Sequence, residues 1–247
     1  MDRVLFLAMS GAQQATQAQA INTNNLANLS TTGFKSDLAQ FRSMPVFGPG
    51  EPTRVYAMAE HPGVDTRPGA LNTTGRNLDV AVRGQGWLAV QAPDGGEAYT
   101  RAGDLRVSNT GFLETGAGHP VLGNGGAPIS VPPAESIQIG TDGTISIRPV
   151  GQEANVLAEV DRIKLVDPPS ADLIKGKDGL MRLSSGAQAP ADANVNLVSG
   201  ALETSNVSAV ESMVNMIELA RQYEMNIKIM QSAKENDAAS NEMMRMA

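Results

Sequence analysis

The side chains of this chain that could do chemistry are scattered, and their spacing assembles no reaction centre. His61 and His119 are each followed by proline, which places both in loops. A general base or a zinc ligand needs partners at matching spacing, and neither histidine has them. Asp94, Asp104, Asp142 and Asp178 each adjoin a glycine. Aspartate is favoured in such turns because its carboxylate bonds nearby backbone amides. None shows the alternating oxygen ligands and closing glutamate of a calcium loop. Gly84-Gln85-Gly86 and Gly123-Asn124-Gly125-Gly126 have the glycine content of phosphate cradles, but neither leads into a helix or a Lys-Ser/Thr pair. Ser184 and Ser185 lack a nearby base and a nucleophile elbow. The expectation is a non-enzyme with no catalytic residues, no cofactor and no metal.

Composition narrows the class further. A formal net charge of -7 without any basic run disfavours nucleic acid and anionic membrane surfaces as partners. There is no cysteine, hence no disulfide and no thiolate chemistry. Aromatic residues make up 4% of the 247 residues, with Trp87 the single tryptophan, so much apolar surface is expected to be buried between subunits. The start of the chain lacks the pattern of a secretory signal, and Val4 to Met9 is too short an apolar run to span a bilayer. The expectation is a cytosolic protein, or one exported without signal cleavage, with no membrane insertion.

The elements that remain to be placed are helical ends around a β middle. From Val4 to Phe34 no charged residue or histidine occurs. The least polar side of this segment follows a 3-4 spacing through Leu5, Ala8, Ala12, Ala15, Gln19, Asn22, Leu26 and Leu29. A helix over 3 to about 30 follows, with Gly11 inside it at a cost of about 1 kcal/mol against Ala, stopped at Thr31-Thr32-Gly33, with Gly33 as a left-handed cap. A second stripe, Met213, Met216, Ala220, Tyr223, Ile227 and Met230, lies on a helix opened by the capping box Ser208-Ala209-Val210-Glu211 and running to about 244. Between 35 and 77, Pro45, Pro49, Pro52, Pro62 and Pro68 with several glycines predict an extended connector. From Leu78 onward, short alternating runs separated by Gly, Asn and Asp turns predict an antiparallel, partly closed β domain. Ile137-Gln138-Ile139 and Ile145-Ser146-Ile147 around Gly140-Thr141-Asp142-Gly143 form its clearest hairpin. The class is α+β, with paired, coiled-coil-like terminal helices. The expected segments are 1–34, 35–77, 78–200 and 201–247.

Asn24-Asn25-Leu26-Ala27-Asn28 followed by Thr32-Gly33-Phe34-Lys35 resembles the N-terminal signature of the flagellar basal-body rod and hook proteins. Ser205-Asn206-Val207 and Arg221-Gln222-Tyr223-Glu224 are similar to that family's C-terminal motif. Asn77-Leu78-Asp79-Val80-Ala81-Val82, with Tyr99-Thr100-Arg101 and Gly103, looks like its β domain. The three motifs stand in order and cover nearly the whole chain. Met1-Asp2-Arg3, Ala8-Met9-Ser10-Gly11-Ala12 and Gly86-Trp87-Leu88 are similar to a proximal-rod member, whereas distal-rod and hook members usually carry Gly-Phe-Phe at the last site.

The resemblance implies a subunit of the flagellar axial drive shaft. Its terminal helices would pack into an inner tube around the export channel, with the β domain outside. Its partners would be other rod subunits, further copies of itself and the type III export apparatus, and its place the periplasmic rod of the basal body. The expected interface comprises Leu5, Ala8, Ala12, Ala15, Asn24, Asn25, Leu26, Ala27, Asn28, Leu29, Thr32, Gly33 and Phe34 at one end. At the other end it comprises Ser205, Asn206, Val207, Val210, Met213, Met216, Ile217, Ala220, Tyr223, Ile227 and Met230. Leu26 and Phe34 are the expected anchors, and Asn24, Asn25 and Asn28 the polar residues that set register. The alanine stripe buries little area, at about 25 cal/mol per Å², against an ordering cost of about 1–2 kcal/mol per residue. The ends are therefore expected to fold only on assembly. A distal-rod or hook-like paralogue, a rod-borne cell-wall hydrolase and a surface adhesin are the competing readings.

Overall fold

The computed structural model describes residues 2–45, 55–60, 63–149, 151 and 157–246. His61, Pro49, Pro52 and Pro62, assigned above to loops and connector, lie outside them. The class is α+β: two terminal helices and a central domain of antiparallel sheets. The chain divides into a helical unit, Met1–Ala27, Asp37–Pro62 and Ser208–Ala247, and a β unit, Asn28–Ser36 and Gly63–Val207. The segments expected from sequence do not follow this division. Residues 28–34 and 201–207 go with the β unit and are joined to each other by backbone, Gly33 N–H donating to Glu203 O at 2.8 Å and Asn206 N–H to Phe34 O at 3.3 Å.

In the helical unit, α1 (Asp2–Ala27) and α2 (Ala209–Met246) run antiparallel. The side-chain amide of Asn22 donates to Ser212 O at 2.7 Å, and a Cβ on Gly11 would lie 3.0 Å from the Asn226 amide. The glycine thus has a use that offsets its poor helix propensity: it lets the helices approach. The buried line of α1 is Ala8, Ala12, Ala15, Ala18 and Asn25. It departs from the expected stripe after Ala15, since Ala18 replaces Gln19 and Asn25 replaces Leu26. Close approach selects the smallest side chains, so the bulkier Leu26 is left on the flank, half-buried. Ser208 caps α2, its Oγ accepting from Glu211 N–H at 3.4 Å and its carbonyl from Ser212 N–H at 2.9 Å.

The connector expected over 35–77 contains structure. Gln40–Pro45 pairs antiparallel with Val55–Glu60, and the second strand lies against α1. The Ala, Ser, Met and Gln content of these strands carries little β signal, which hides the hairpin from pattern reading.

In the β unit, a five-stranded antiparallel sheet runs Leu165–Val166, Trp87–Gln91, Glu97–Thr100, Met181–Leu183, Leu173–Lys175. A three-stranded sheet places Thr144–Pro149 between Ala158–Arg162 and Ala134–Ile139, with Ile145 opposite Ile139, as the hairpin pattern predicts. Asn196–Ser199 pairs with Val80–Arg83, and Ala201–Glu203 with Leu71–Thr73. Strand Trp87–Gln91 is buried on both faces: Leu88 and Val90 join the larger aliphatic core, Trp87 and Ala89 a smaller one with Tyr99, Leu122 and Met181. Period-2 alternation here separates two cores instead of core from solvent. The β unit therefore has its own aliphatic interior. Large exposed apolar side chains gather instead on the helices, among them Phe6, Met9, Val210, Met213, Val214 and Ile217.

One backbone crossing in this interior is exacting. A Cβ on Gly103 would fall 1.7 Å from Val80 O, and Val80 N–H donates to Gly103 O at 2.9 Å. Gly103→Ala is expected to cost about 1–3 kcal/mol or more through overpacking, read as a lower urea midpoint at unchanged m-value.

Candidate assembly site

Glu203 closes strand Ala201–Glu203 with its carboxylate pointing inward and no exposed surface. Its Oε1 accepts from Lys35 Nζ at 2.6 Å and from Gly69 N–H at 2.8 Å. Its Oε2 accepts from Arg101 Nη1 at 2.9 Å. Two buried cations thus share one buried carboxylate. The excess positive charge is met by carbonyls: Lys35 also donates to Arg67 O at 2.8 Å, and Arg101 Nη2 to Gly84 O at 2.8 Å. The Arg101 guanidinium further stands 5.4 Å from the centre of the Trp87 ring. Burial holds the Lys35 amine below its ordinary value of 10.5, with the Glu203 hydrogen bond and charge acting the other way.

The same place fixes the neighbouring motif residues. Gly33 has φ +65°, and its N–H donates to Glu203 O at 2.8 Å. A Cβ there would sit 2.2 Å from the Arg101 carbonyl carbon. Gly33 is thus left-handed as expected, but it does not cap α1, which ends at Ala27. It exists for this crossing. Phe34 lies under Lys175, whose Nζ is 4.0 Å from the ring centre and donates to Lys35 O at 2.9 Å. Asn206 joins Ser36, Phe34 and Asp65, and Ser205 Oγ accepts from Val207 N–H at 3.2 Å.

The residues expected at an interface therefore separate into three sets. Ala8, Ala12, Ala15 and Asn25 are buried in the helical unit, with Leu26, Met216, Ala220, Ile227 and Met230 half-buried. Thr32, Gly33, Phe34, Ser205, Asn206 and Val207 belong to the β unit, as does Asn28, whose Oδ1 accepts from Thr31 Oγ1 at 3.1 Å. Leu5, Asn24, Ala27, Leu29, Val210, Met213, Ile217 and Tyr223 are exposed on this chain. Glu203 was missed. Its one signal is a charge at the inward position of a short strand, where alternation calls for an apolar residue.

Among the described residues, no group of three His, Cys, Asp or Glu side chains could hold a metal ion, and no helix is long and apolar enough to cross a membrane.

Three family models match the chain. The Flagella basal body rod protein model covers residues 5–35, the Flagellar hook protein FlgE/F/G D1 domain 81–147, and the Flagellar basal body rod FlgEFG protein C-terminal model 198–243. The chain is 44% identical, over the full length of both proteins, to the flagellar basal-body rod protein FlgF of Salmonella typhimurium and to that of Escherichia coli. It belongs to the flagellar basal-body rod protein family. It is also 31% identical to the rod protein FlgG of Bacillus subtilis, over 95% of this chain and 96% of that one. Within the family frame the ion cluster acquires a meaning. Lys35, Arg101 and Glu203 come one each from the three matched segments, so a single carboxylate ties the N-terminal, D1 and C-terminal parts together.

Removing one member of a buried ion cluster strands the others, at about 3–5 kcal/mol. Glu203→Ala is expected to lower the melting temperature of the β unit by roughly 6–20 °C. The triple change of Lys35, Arg101 and Glu203 to Met, Met and Leu is expected to cost less than Glu203→Ala alone, which calorimetry of both variants would check. Because the Lys35 amine titrates lower when folded than unfolded, the unfolded chain binds more protons between the two values. Its contribution to stability therefore rises with pH up to about 10.5. Urea midpoints of the protein, compared with Lys35→Met across that range, would show the rise only in the protein that keeps the lysine.

Proposed function

We propose that this chain is a structural, non-catalytic subunit of the proximal rod of the flagellar basal body. The observation that carries the reading is its 44% identity to rod proteins named FlgF over the whole chain, both helical ends included. Its partners are other rod subunits, further copies of itself and, during delivery, the type III export apparatus. It is exported unfolded, without signal cleavage, and takes its place in the periplasmic part of the rod, enclosing the export channel and transmitting torque.

Physical support lies in the helical unit. The alanine and glycine seam at 3-4 spacing suits coiled-coil-like pairing. Beyond that seam, Val210, Met213, Val214 and Ile217 on α2, and Val4, Phe6 and Met9 on α1, stand exposed. Side chains of this kind reward burial against a neighbour at about 1.5–3 kcal/mol each. The uncharged Asn, Gln and Thr residues of α1 can enter such a contact without desolvating a full charge. A partly closed β domain on the outside completes the subunit.

Cells lacking the chain are expected to be non-motile, and a tagged copy to appear in the proximal rod by tomography of isolated basal bodies. A tag at the distal rod or hook would replace this reading with the paralogue, and cleavage of peptidoglycan in a zymogram would replace it with a hydrolase. Ile217→Asp and Leu26→Asp should leave the β unit folded and abolish rod assembly. Because the α1–α2 seam buries so little area, dilute subunit is expected to give weak helical circular dichroism that rises on polymerisation. Protease-resistant helices in dilute solution would overturn that point.

A further inference from the structure

The turn Gly123-Asn124-Gly125-Gly126 in the β unit holds the single Asn-Gly pair of the sequence. Gly126 N–H donates to Gly123 O and Gly123 N–H to Ala127 O, both at 2.9 Å, and Asn124 N–H donates to Arg162 O at 3.0 Å. Asn124 and Gly125 are exposed. Among the described residues, neither the Asn124 carboxamide nor the Gly125 N–H has a hydrogen bond. A Cβ on Gly125 would meet nothing within 4 Å. An unshielded amide nitrogen thus follows an unheld carboxamide.

The Asp-Gly pairs at 94–95, 142–143 and 178–179 supply the contrast. Gly95 N–H donates to Ala92 O at 2.9 Å, and Gly143 and Gly179 N–H donate to Gly140 O and Gly176 O, both at 3.1 Å. Their carboxylates are engaged as well: Asp94 accepts from Gly96 N–H, Asp142 from Thr144 and Asp178 from Arg182. The frame differs by one residue. In those turns the amide after the aspartate closes the turn. At 123–126 that bond is made by Gly126, and the Gly125 amide is left over.

We propose that Asn124 is a site of spontaneous deamidation, with the Gly125 amide nitrogen as the nucleophile. That nitrogen, having lost its proton to base, bonds to Asn124 Cγ. The Cγ–Nδ2 bond breaks and the side-chain nitrogen leaves as ammonia, giving a cyclic succinimide. Water then adds to either ring carbonyl, the bond from that carbon to the Gly125 nitrogen breaks, and the nitrogen takes back a proton. The products are aspartate and isoaspartate. Glycine permits the attack because no Cβ crowds its nitrogen. Both products carry a new negative charge, at a small cavity that Arg162 and Asp192 also line. Isoaspartate also lengthens the main chain by one carbon, inside a turn anchored on Arg162 O. The reaction needs only the folded β unit and water, so it stands apart from the rod-subunit reading.

The test is long incubation of the full-length protein in mildly alkaline buffer, with the fold of the β unit followed by Trp87 emission. Peptide mapping by mass spectrometry should show a gain of about one mass unit on the peptide holding Asn124. That peptide should also become a methyl acceptor for isoaspartyl methyltransferase, while those holding Asp94, Asp142 and Asp178 do not. In guanidinium chloride, which releases the turn bonds, the three aspartates should begin to form isoaspartate too. Gly125→Ala, which has room for its methyl, should slow the conversion at least ~tenfold by crowding the nitrogen. Asn124→Gln, whose longer side chain closes a ring poorly, should abolish methyl acceptance at this turn. The proposal is overturned if Asn124 stays intact in the folded protein over a time in which it converts in guanidinium chloride. Isoaspartate forming as fast at any of the three aspartates of the folded protein, or undiminished conversion in folded Gly125→Ala, would overturn it equally.

Discussion

The β unit depends on one carboxylate with no exposed surface. A charge of that kind is tolerated only when its oxygens are fully engaged, and Glu203 meets the condition by drawing on Lys35, Gly69 and Arg101. These residues are far apart in sequence, so the cluster forms only when the start, middle and end of the chain have all arrived. The same constraint explains two local features. Gly33 needs a left-handed backbone because the segment carrying Lys35 must pass against Arg101, and strand Ala201–Glu203 needs Leu71–Thr73 beside it to aim the carboxylate inward.

Such a cluster is a poor way to gain raw stability, since apolar groups of similar volume can do as well. What it adds is specificity. An aliphatic contact tolerates a shift in register, whereas three ions and two carbonyl acceptors do not. For a unit assembled from segments far apart in sequence, register is the property worth keeping. The helical unit shows the opposite economy. Ala8, Gly11, Ala12, Ala15 and Ala18 make a seam by lacking side-chain bulk, and the larger apolar groups are left facing outward.

Much of this architecture was legible in the sequence, and the failures have physical causes. The α+β class, the helical ends and the Ile139–Ile145 hairpin follow from periodicity and turn chemistry. Lys35 and Arg101 stood inside recognisable motifs, but nothing local links either to Glu203, because an ion pair between distant segments leaves no periodic trace. After Ala15 the buried line of α1 keeps to the expected stripe only at Asn22, which bonds Ser212 across the seam, and otherwise runs through Ala18 and Asn25, since an alanine-rich helix offers several equivalent stripes and only the partner selects one. The hairpin at 40–60 was read as connector because its residues have weak strand preference. In Trp87–Gln91 the alternation lies between two cores, which sequence cannot distinguish from alternation between core and solvent.

The burial of Trp87 in the smaller core, beside the Arg101 guanidinium, has a practical corollary. It is the single tryptophan of the chain, and both helices lack one. Indole emission is thus an optical label built into one unit, blind to the other, while helical dichroism comes mainly from α1 and α2. Two spectroscopic channels in the unlabelled protein separate the two halves, and any difference between their transitions measures how far one half can order without the other.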